Sequence, residues 1–462
     1  MSWYRARRSI FILLCYESLL FGIELTMLEP NEYFYFKDVL SVNSPILCYS
    51  LSLALNVWSS LMASIFVSHV IKKYHVFTSA MFILCSISTV GHCMYFVSRS
   101  PAVIIMGRFV SGLGRATNLV ATNYIQKLFP EDDLFYKMTI LSNFVTVGTV
   151  IGPVLTYIFI QIDFNLGALN LNFGNSPGFY MCLCKMFLFV CLLLFMDDIP
   201  FQSNRERFQY QPKNRLQEIV CTCAPEEDED EKLIQKFDAQ EEFLKEQDTD
   251  DSEIEIKSKK KVPLKKALSE TLRRKKVLAV LMTLFVHGMT FKIINSLIPV
   301  ESWRYLKWDI NKIAGLCLGN TVLGTVVSVV MAMCFASSTH FLNLIGGMFL
   351  GLFSLVLLGT IQHYIINMVA ANLLFCLMAF FNVAASCLIG LSTRMILEHL
   401  TDQKLKSFTN LLRTFTLEVS YFFGSLLLPL VDMDVNMSMF VVLFVTLVAM
   451  VFLTLKLRNI WV

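Results

Sequence analysis

The chain has 462 residues, 55% of them hydrophobic and only 16% charged, with a formal net charge of +3. Soluble proteins carry about 25% charged residues, so this composition excludes the ordinary soluble class. The charge is too small, and too little of it sits in basic patches with interleaved aromatics, to hold a nucleic acid. It is also unevenly placed: residues 197–276 hold 20 of the 36 acids and 17 of the 39 Lys and Arg. Apolar spans on either side of one solvated segment account for that split.

Arg5, Arg7 and Arg8 open the chain and an apolar run follows. The run imitates a signal peptide but is too long, contains Glu17 and Glu24, and has no small-residue cleavage site. It reads as a retained first transmembrane helix. A membrane helix needs about 20 apolar residues. Runs of that length fall at roughly 9–29, 45–70, 76–97, 102–127, 138–160 and 178–196, then at 277–299, 312–335, 341–360, 367–392, 408–430 and 437–457. Residues 29–44, with Glu29, Glu32, Lys37 and Asp38, are expected as a loop outside. With the N-terminus inside, twelve basic residues flank the short inside segments and five the outside loops. That bias predicts both termini and the central segment on the cytosolic side.

The expected organisation is an all-α membrane protein of twelve transmembrane helices in two six-helix bundles, 1–196 and 277–462, joined by a charged cytosolic linker, 197–276. Low hydrophobicity with high charge predicts a largely disordered linker. It runs from the acidic stretch Glu226–Glu231 to the basic stretch Lys257–Lys276. The basic end reads equally as an amphipathic helix on the anionic leaflet and as a topology-setting flank. Thirteen cysteines lie mostly in apolar stretches, with no metal spacing, and predict no disulfide. Asn436-Met437-Ser438 is a glycosylation sequon in a very short loop.

The sharpest local pattern is Gly107-Arg108 with Gly112, Gly114 and Arg115 on the fourth span. An arginine there must face protein or water, and the glycines allow close helix contact. Gly148, Gly152 and Pro153 on the fifth span combine close contact with a bend. Here the chain resembles the major facilitator superfamily. Arg108 with Gly112 resembles its helix-four Arg-x-x-x-Gly motif, and Gly148, Gly152 and Pro153 its helix-five Gly-Pro motif, which implies a gating hinge. The loop-two motif keeps only its basic pair, Lys72-Lys73. The first 200 or so residues are similar to the lysosomal ceroid-lipofuscinosis branch (major facilitator superfamily domain-containing protein 8-like), in Arg7–Ile10, Gly107–Tyr124, Gly148–Pro153 and Leu169–Asn172. Thr122 departs from that branch, where a second arginine is expected.

In the superfamily, helices one, four, seven and ten line the central cavity. The resemblance therefore implies cavity charges at Glu17, Glu24, Arg108, Arg115, His287 and Lys292, with the two glutamates facing the cations. The competing reading is internal ion pairing. His92 and Lys185 read as local core or snorkelling residues. No enzyme, cofactor or metal motif is present. The expected function is a secondary active transporter, proton-coupled through Glu17 or Glu24, for a small anionic or zwitterionic solute by alternating access. A chloride-type anion channel and a non-transporting membrane interaction protein stay open as alternatives.

Glu229, Leu233 and Ile234 match an acidic dileucine pattern in the linker. It points to clathrin adaptors as partners and favours the endolysosomal membrane, with the plasma membrane as the alternative. Changing Leu233 and Ile234 to Ala should shift the protein from endolysosomes to the cell surface, scored by surface biotinylation. An unchanged lysosomal location would place the signal elsewhere.

Overall fold

The computed structural model describes residues 3–74, 76–129, 131–166, 169–196, 271, 273–334, 340–364, 367–401, 406–432, 445–449 and 451. The dileucine pattern, most of the linker, the Asn436 sequon and nearly all of the expected span 437–457 lie outside these residues.

The first helix, α1 (Trp3–Phe34), runs directly into a π-helical turn, Tyr35–Val39. This corrects the loop expected from residue 29. The helix carries Glu29 and Glu32 through the bundle because each meets a cation there. Next come α2 (Pro45–Tyr74), α3 (Phe77–Val97), α4 (Pro101–Gly114), α5 (Thr117–Leu128), α6 (Glu131–Phe159) and α7 (Ser176–Phe195). The second half holds α8 (Lys275–Leu306), α9 (Ile310–Cys334), α10 (His340–Tyr364), α11 (Met368–Leu400) and α12 (Lys406–Asp432). Among the described residues, ten helices are long and apolar enough to cross a membrane. Phe66, Leu194 and Val369 stand exposed on their outer surfaces, an exterior suited to lipid and not to water.

The expected fourth span is divided into α4 and α5. At the joint the Asn118 amide donates to the Arg115 carbonyl at 3.3 Å, leaving the Gly114 carbonyl one turn short of its usual donor. The Thr117 hydroxyl lies 2.9 Å from that carbonyl and takes its place. Between α6 and α7 a two-stranded hairpin, β1 (Phe164–Leu166) and β2 (Leu169–Leu171), pairs Phe164 with Leu171. Asn175 closes it: its Oδ1 accepts from the Asn172 amide at 2.8 Å and its Nδ2 donates to the Asn170 carbonyl at 2.8 Å.

Helices on both sides of residues 198–268 form one unit. Within the first half α1 packs on α6, and α4 on α2 and α3; within the second, α8 packs on α11 and α12. The second half has its own apolar core, in which Val277, Leu281 and Leu284 meet Leu344, Met348 and Ile389. The halves meet through α2 on α12 and α6 on α9. On the face opposite the N-terminus, Ser50 Oγ donates to the Ser425 carbonyl at 2.7 Å. There Lys37 Nζ also lies 3.0 Å from the centre of the Trp303 ring.

The closest approach is between α1 and α6. A Cβ on Gly148 would fall 2.2 Å from the Leu19 carbonyl oxygen, and one on Gly22 would fall 2.1 Å from that of Val145. The obstacles are backbone, so neither can swing aside. Gly148→Leu should therefore destabilise the protein by about 1–3 kcal/mol or more through overpacking. A lowered melting temperature in detergent checks it; an unchanged one would mean that the helices do not approach so closely.

Candidate functional site

Glu17 lies at the middle of the first half. Both of its carboxylate oxygens accept from Lys185 Nζ on α7, at 2.8 and 2.9 Å, and the Thr117 hydroxyl touches the same group. Lys185 does not snorkel: its side chain is 1% exposed and that of Glu17 is 0% exposed. Two turns on, Glu24 Oε2 sits 3.6 Å from His92 Nε2 on α3. His92 is therefore the basic group nearest Glu24 and not merely a core residue. Farther along, Glu32 Oε1 lies 3.4 Å from Arg108 Nε on α4, and the Ser52 hydroxyl of α2 donates to the same oxygen. Arg108 thus faces neither Glu17 nor Glu24, the acids expected for it. The fourth carboxylate, Glu29, pairs with Lys292 Nζ of α8 at 2.5 Å. An intramembrane charge costs several kcal/mol when alone, and here each acid of α1 meets a basic side chain from a different helix: a lysine or arginine for Glu17, Glu29 and Glu32, and a histidine for Glu24.

Arg115 stands at the joint of α4 and α5. Its Nη1 donates to Asn56 Oδ1 at 2.6 Å, and its guanidinium lies 5.4 Å from the Phe21 ring centre. Asn56 Nδ2 donates in turn to the Arg108 carbonyl at 2.9 Å. Such packing needs Gly112, where a Cβ would come 2.0 Å from Ser59 Oγ and 2.4 Å from the Asn56 carbonyl. His287 turns into the second half, where a Cβ on Gly351 of α10 would lie 3.6 Å from its Nδ1.

A cavity of about 540 Å³ is lined by both halves. Its wall comes from α1 (Thr26, Glu29, Pro30), α2 (Tyr49), α6 (Asn143, Thr146, Thr149, Pro153), α8 (Phe291, Asn295, Pro299), α9 (Asn320, Thr321, Thr325, Ser328) and α11 (Val383, Cys387). Glu17, Glu24, Arg108, Arg115 and His287 are not on this wall, and Lys292 reaches it only through Glu29. The motif residues fare differently. Pro153 lines the cavity. It cannot donate to the Thr149 carbonyl, and that carbonyl instead accepts from Thr26 Oγ1 of α1 at 3.0 Å. Gly152 lets this happen, since a Cβ there would fall 2.1 Å from the Thr26 hydroxyl. Among the described residues no group of His, Cys, Asp and Glu could hold a metal ion.

Sequence reasoning missed Glu29, Glu32 and the polar wall of α9. The first two were hidden by a helix ended too early. The α9 residues are neutral and carry no motif.

The family model described as Major Facilitator Superfamily matches residues 19–425. No curated protein matches the sequence. Among solved structures, a D-xylose–proton symporter is similar over 96% of each chain, at 12% identity and a TM-score of 0.65. A nucleoside transporter is similar over 98% of this chain and 99% of its own, at 9% identity and a TM-score of 0.66. A bacterial homologue of the human lysosomal transporter Spinster, inward-facing and unoccupied, is similar over 92% of this chain and 81% of its own, at 11% identity and a TM-score of 0.61. At these identities the likeness shows a shared fold.

Lys185→Met should leave Glu17 charged and alone, costing about 3–5 kcal/mol. The double variant Lys185→Met with Glu17→Gln should recover most of that loss. Monodisperse yield and melting temperature read both. Equal damage from the single and double variants would show that the pair is not what holds α1 to α7.

Proposed function

The chain belongs to the major facilitator superfamily, and on that premise we propose a secondary active carrier that moves a small solute by alternating access. The reading rests on one observation: the ion pair Glu29–Lys292 joins the two halves at the cavity wall. Three of the four acids on α1 find their basic partners within the first half. Glu29 alone is answered from the second half, and it is the carboxylate that the cavity reaches.

A proton on Glu29 cancels the attraction to Lys292 and frees the halves to separate there. Loss of the proton restores the pair and draws them together. Solute binding beside Glu29 then couples to proton transfer through one group. In this reading Glu29 takes the coupling role expected of Glu17 or Glu24, while those two serve the packing of the first half. Gly148, Gly152 and Pro153 act as the hinge of α6 against α1.

The anion-channel alternative needs a basic pore. Among the described residues the wall offers no basic side chain; Arg108, Arg115 and His287 lie off it and Lys292 is already paired with Glu29, which favours the carrier. The endolysosomal membrane is the proposed location, with the termini cytosolic and adaptors engaged through Glu229, Leu233 and Ile234.

Glu29→Gln mimics the protonated state permanently. In proteoliposomes it should abolish uptake driven by an imposed proton gradient, at least about tenfold, while leaving solute exchange without a gradient. Glu29→Gln with Lys292→Gln, which leaves no lone cation, should behave alike. Proton-driven uptake at the native rate in both variants would remove Glu29 from the coupling step.

A further inference from the structure

The wall of the cavity is mostly apolar, and the polar groups set into it carry almost no net charge. Three carboxamides converge on it from three helices: Asn143 of α6, Asn295 of α8 and Asn320 of α9. Among the described residues none of the three side chains makes a hydrogen bond, so each has two donors and an acceptor to offer. The threonines are different. Thr26, Thr146, Thr149, Thr321 and Thr325 donate to backbone carbonyls at 2.7 to 3.2 Å. Their protons are committed, and their oxygens face a ligand as acceptors only.

Prolines add to this bias. Pro30 and Pro299 on the wall each lack the N–H that would serve the carbonyl one turn earlier, at Thr26 and Asn295. The wall is therefore rich in neutral acceptors, with donors supplied by the three amides. Its one carboxylate is already compensated by Lys292 at 2.5 Å. An anion entering here finds no free cation, and a cation must compete with Lys292 for Glu29. Phe291 and Tyr49 give the same space two aromatic rings.

Resting on the carrier reading above, we infer that the cavity binds an uncharged polyhydroxylated solute built on a ring. Its hydroxyl protons meet the threonine and carboxamide oxygens. Its hydroxyl oxygens accept from the amide Nδ2 groups of Asn143, Asn295 and Asn320. Its apolar ring face packs on Phe291 or Tyr49. This narrows the class away from the anionic or zwitterionic solute expected from sequence.

The test is uptake by the full-length protein in proteoliposomes with an inward proton gradient. The probes are labelled glucose, xylose and uridine on one side, and alanine, lactate and chloride on the other. Saturable uptake of at least one neutral probe, with none of the charged ones, is expected. Asn143→Ala and Asn320→Ala should each raise KM about five- to tenfold, the loss of one neutral hydrogen bond, with kcat within about twofold. Melting curves confirm that both variants fold. Uptake of alanine, lactate or chloride with none of the neutral probes would overturn the inference and leave the carrier reading standing. An unmoved KM in both folded variants would also overturn it. A folded protein that transports no probe, and whose melting point no probe raises, would remove the carrier reading and the inference together.

Discussion

A carboxylate buried in a membrane must be answered by a basic group carried to it on another helix, and α1 carries four carboxylates, three of them buried and the fourth, Glu29, at the cavity wall. Glu17, Glu24, Glu29 and Glu32 meet Lys185, His92, Lys292 and Arg108, which come from α7, α3, α8 and α4. Each pairing fixes the depth of one neighbour against α1. Removing either partner strands a charge, so the set constrains helix register more strongly than apolar packing does. Apolar contacts between helices in lipid are interchangeable; these four are not. The close approach of α6 through Gly22 and Gly148 then occupies the side of α1 that the cations leave free.

Much of this was legible in the residues. The spans, their order and the tight contact at Gly148, Gly152 and Pro153 follow from hydropathy and small-residue spacing. The site was less legible because it depends on where α1 ends. Hydropathy stops the helix near Glu29, since a window counts each charge as a penalty and cannot see the partner that cancels it. Continued to Phe34, at about 100° per residue, the helix fans Glu24, Glu17, Glu32 and Glu29 in that order over about 140°, with Glu29 about 60° beyond Glu32. The acid at the edge of that fan, Glu29, is the one that meets the second half. Lys185 was misread for a related reason: snorkelling is the usual fate of a lone membrane lysine, and only the fold brings Glu17 to it. The motif at Arg108 was located correctly but assigned the wrong acid, because Glu32 had been placed in a loop.

The neutral wall of the cavity marks the limit of motif reading. Asn143 and Asn320 are unremarkable in a sequence, and only their convergence from opposite halves gives them meaning. The charged residues that draw the eye serve mostly to make the first half a single rigid body. On the carrier reading proposed above, that division suits a rocking motion: the first half is held by ion pairs, and the wall offered to a solute is lined by groups that form hydrogen bonds of modest strength.

Pairing within the first half also has an electrical consequence. A bundle whose buried charges cancel internally presents almost no net charge to the transmembrane field, and a rigid tilt of that bundle does little work against it. Moving one uncompensated charge through the whole field costs about 2.3 kcal/mol per 100 mV. Glu17–Lys185, Glu24–His92 and Glu32–Arg108 travel together as dipoles and escape that cost. When Glu29 takes up a proton and parts from Lys292, as proposed, the lysine's charge is left to move without its partner. On the carrier reading, the sensitivity of the cycle to voltage then draws on that one short displacement, to which the paired carboxylates of the first half add little.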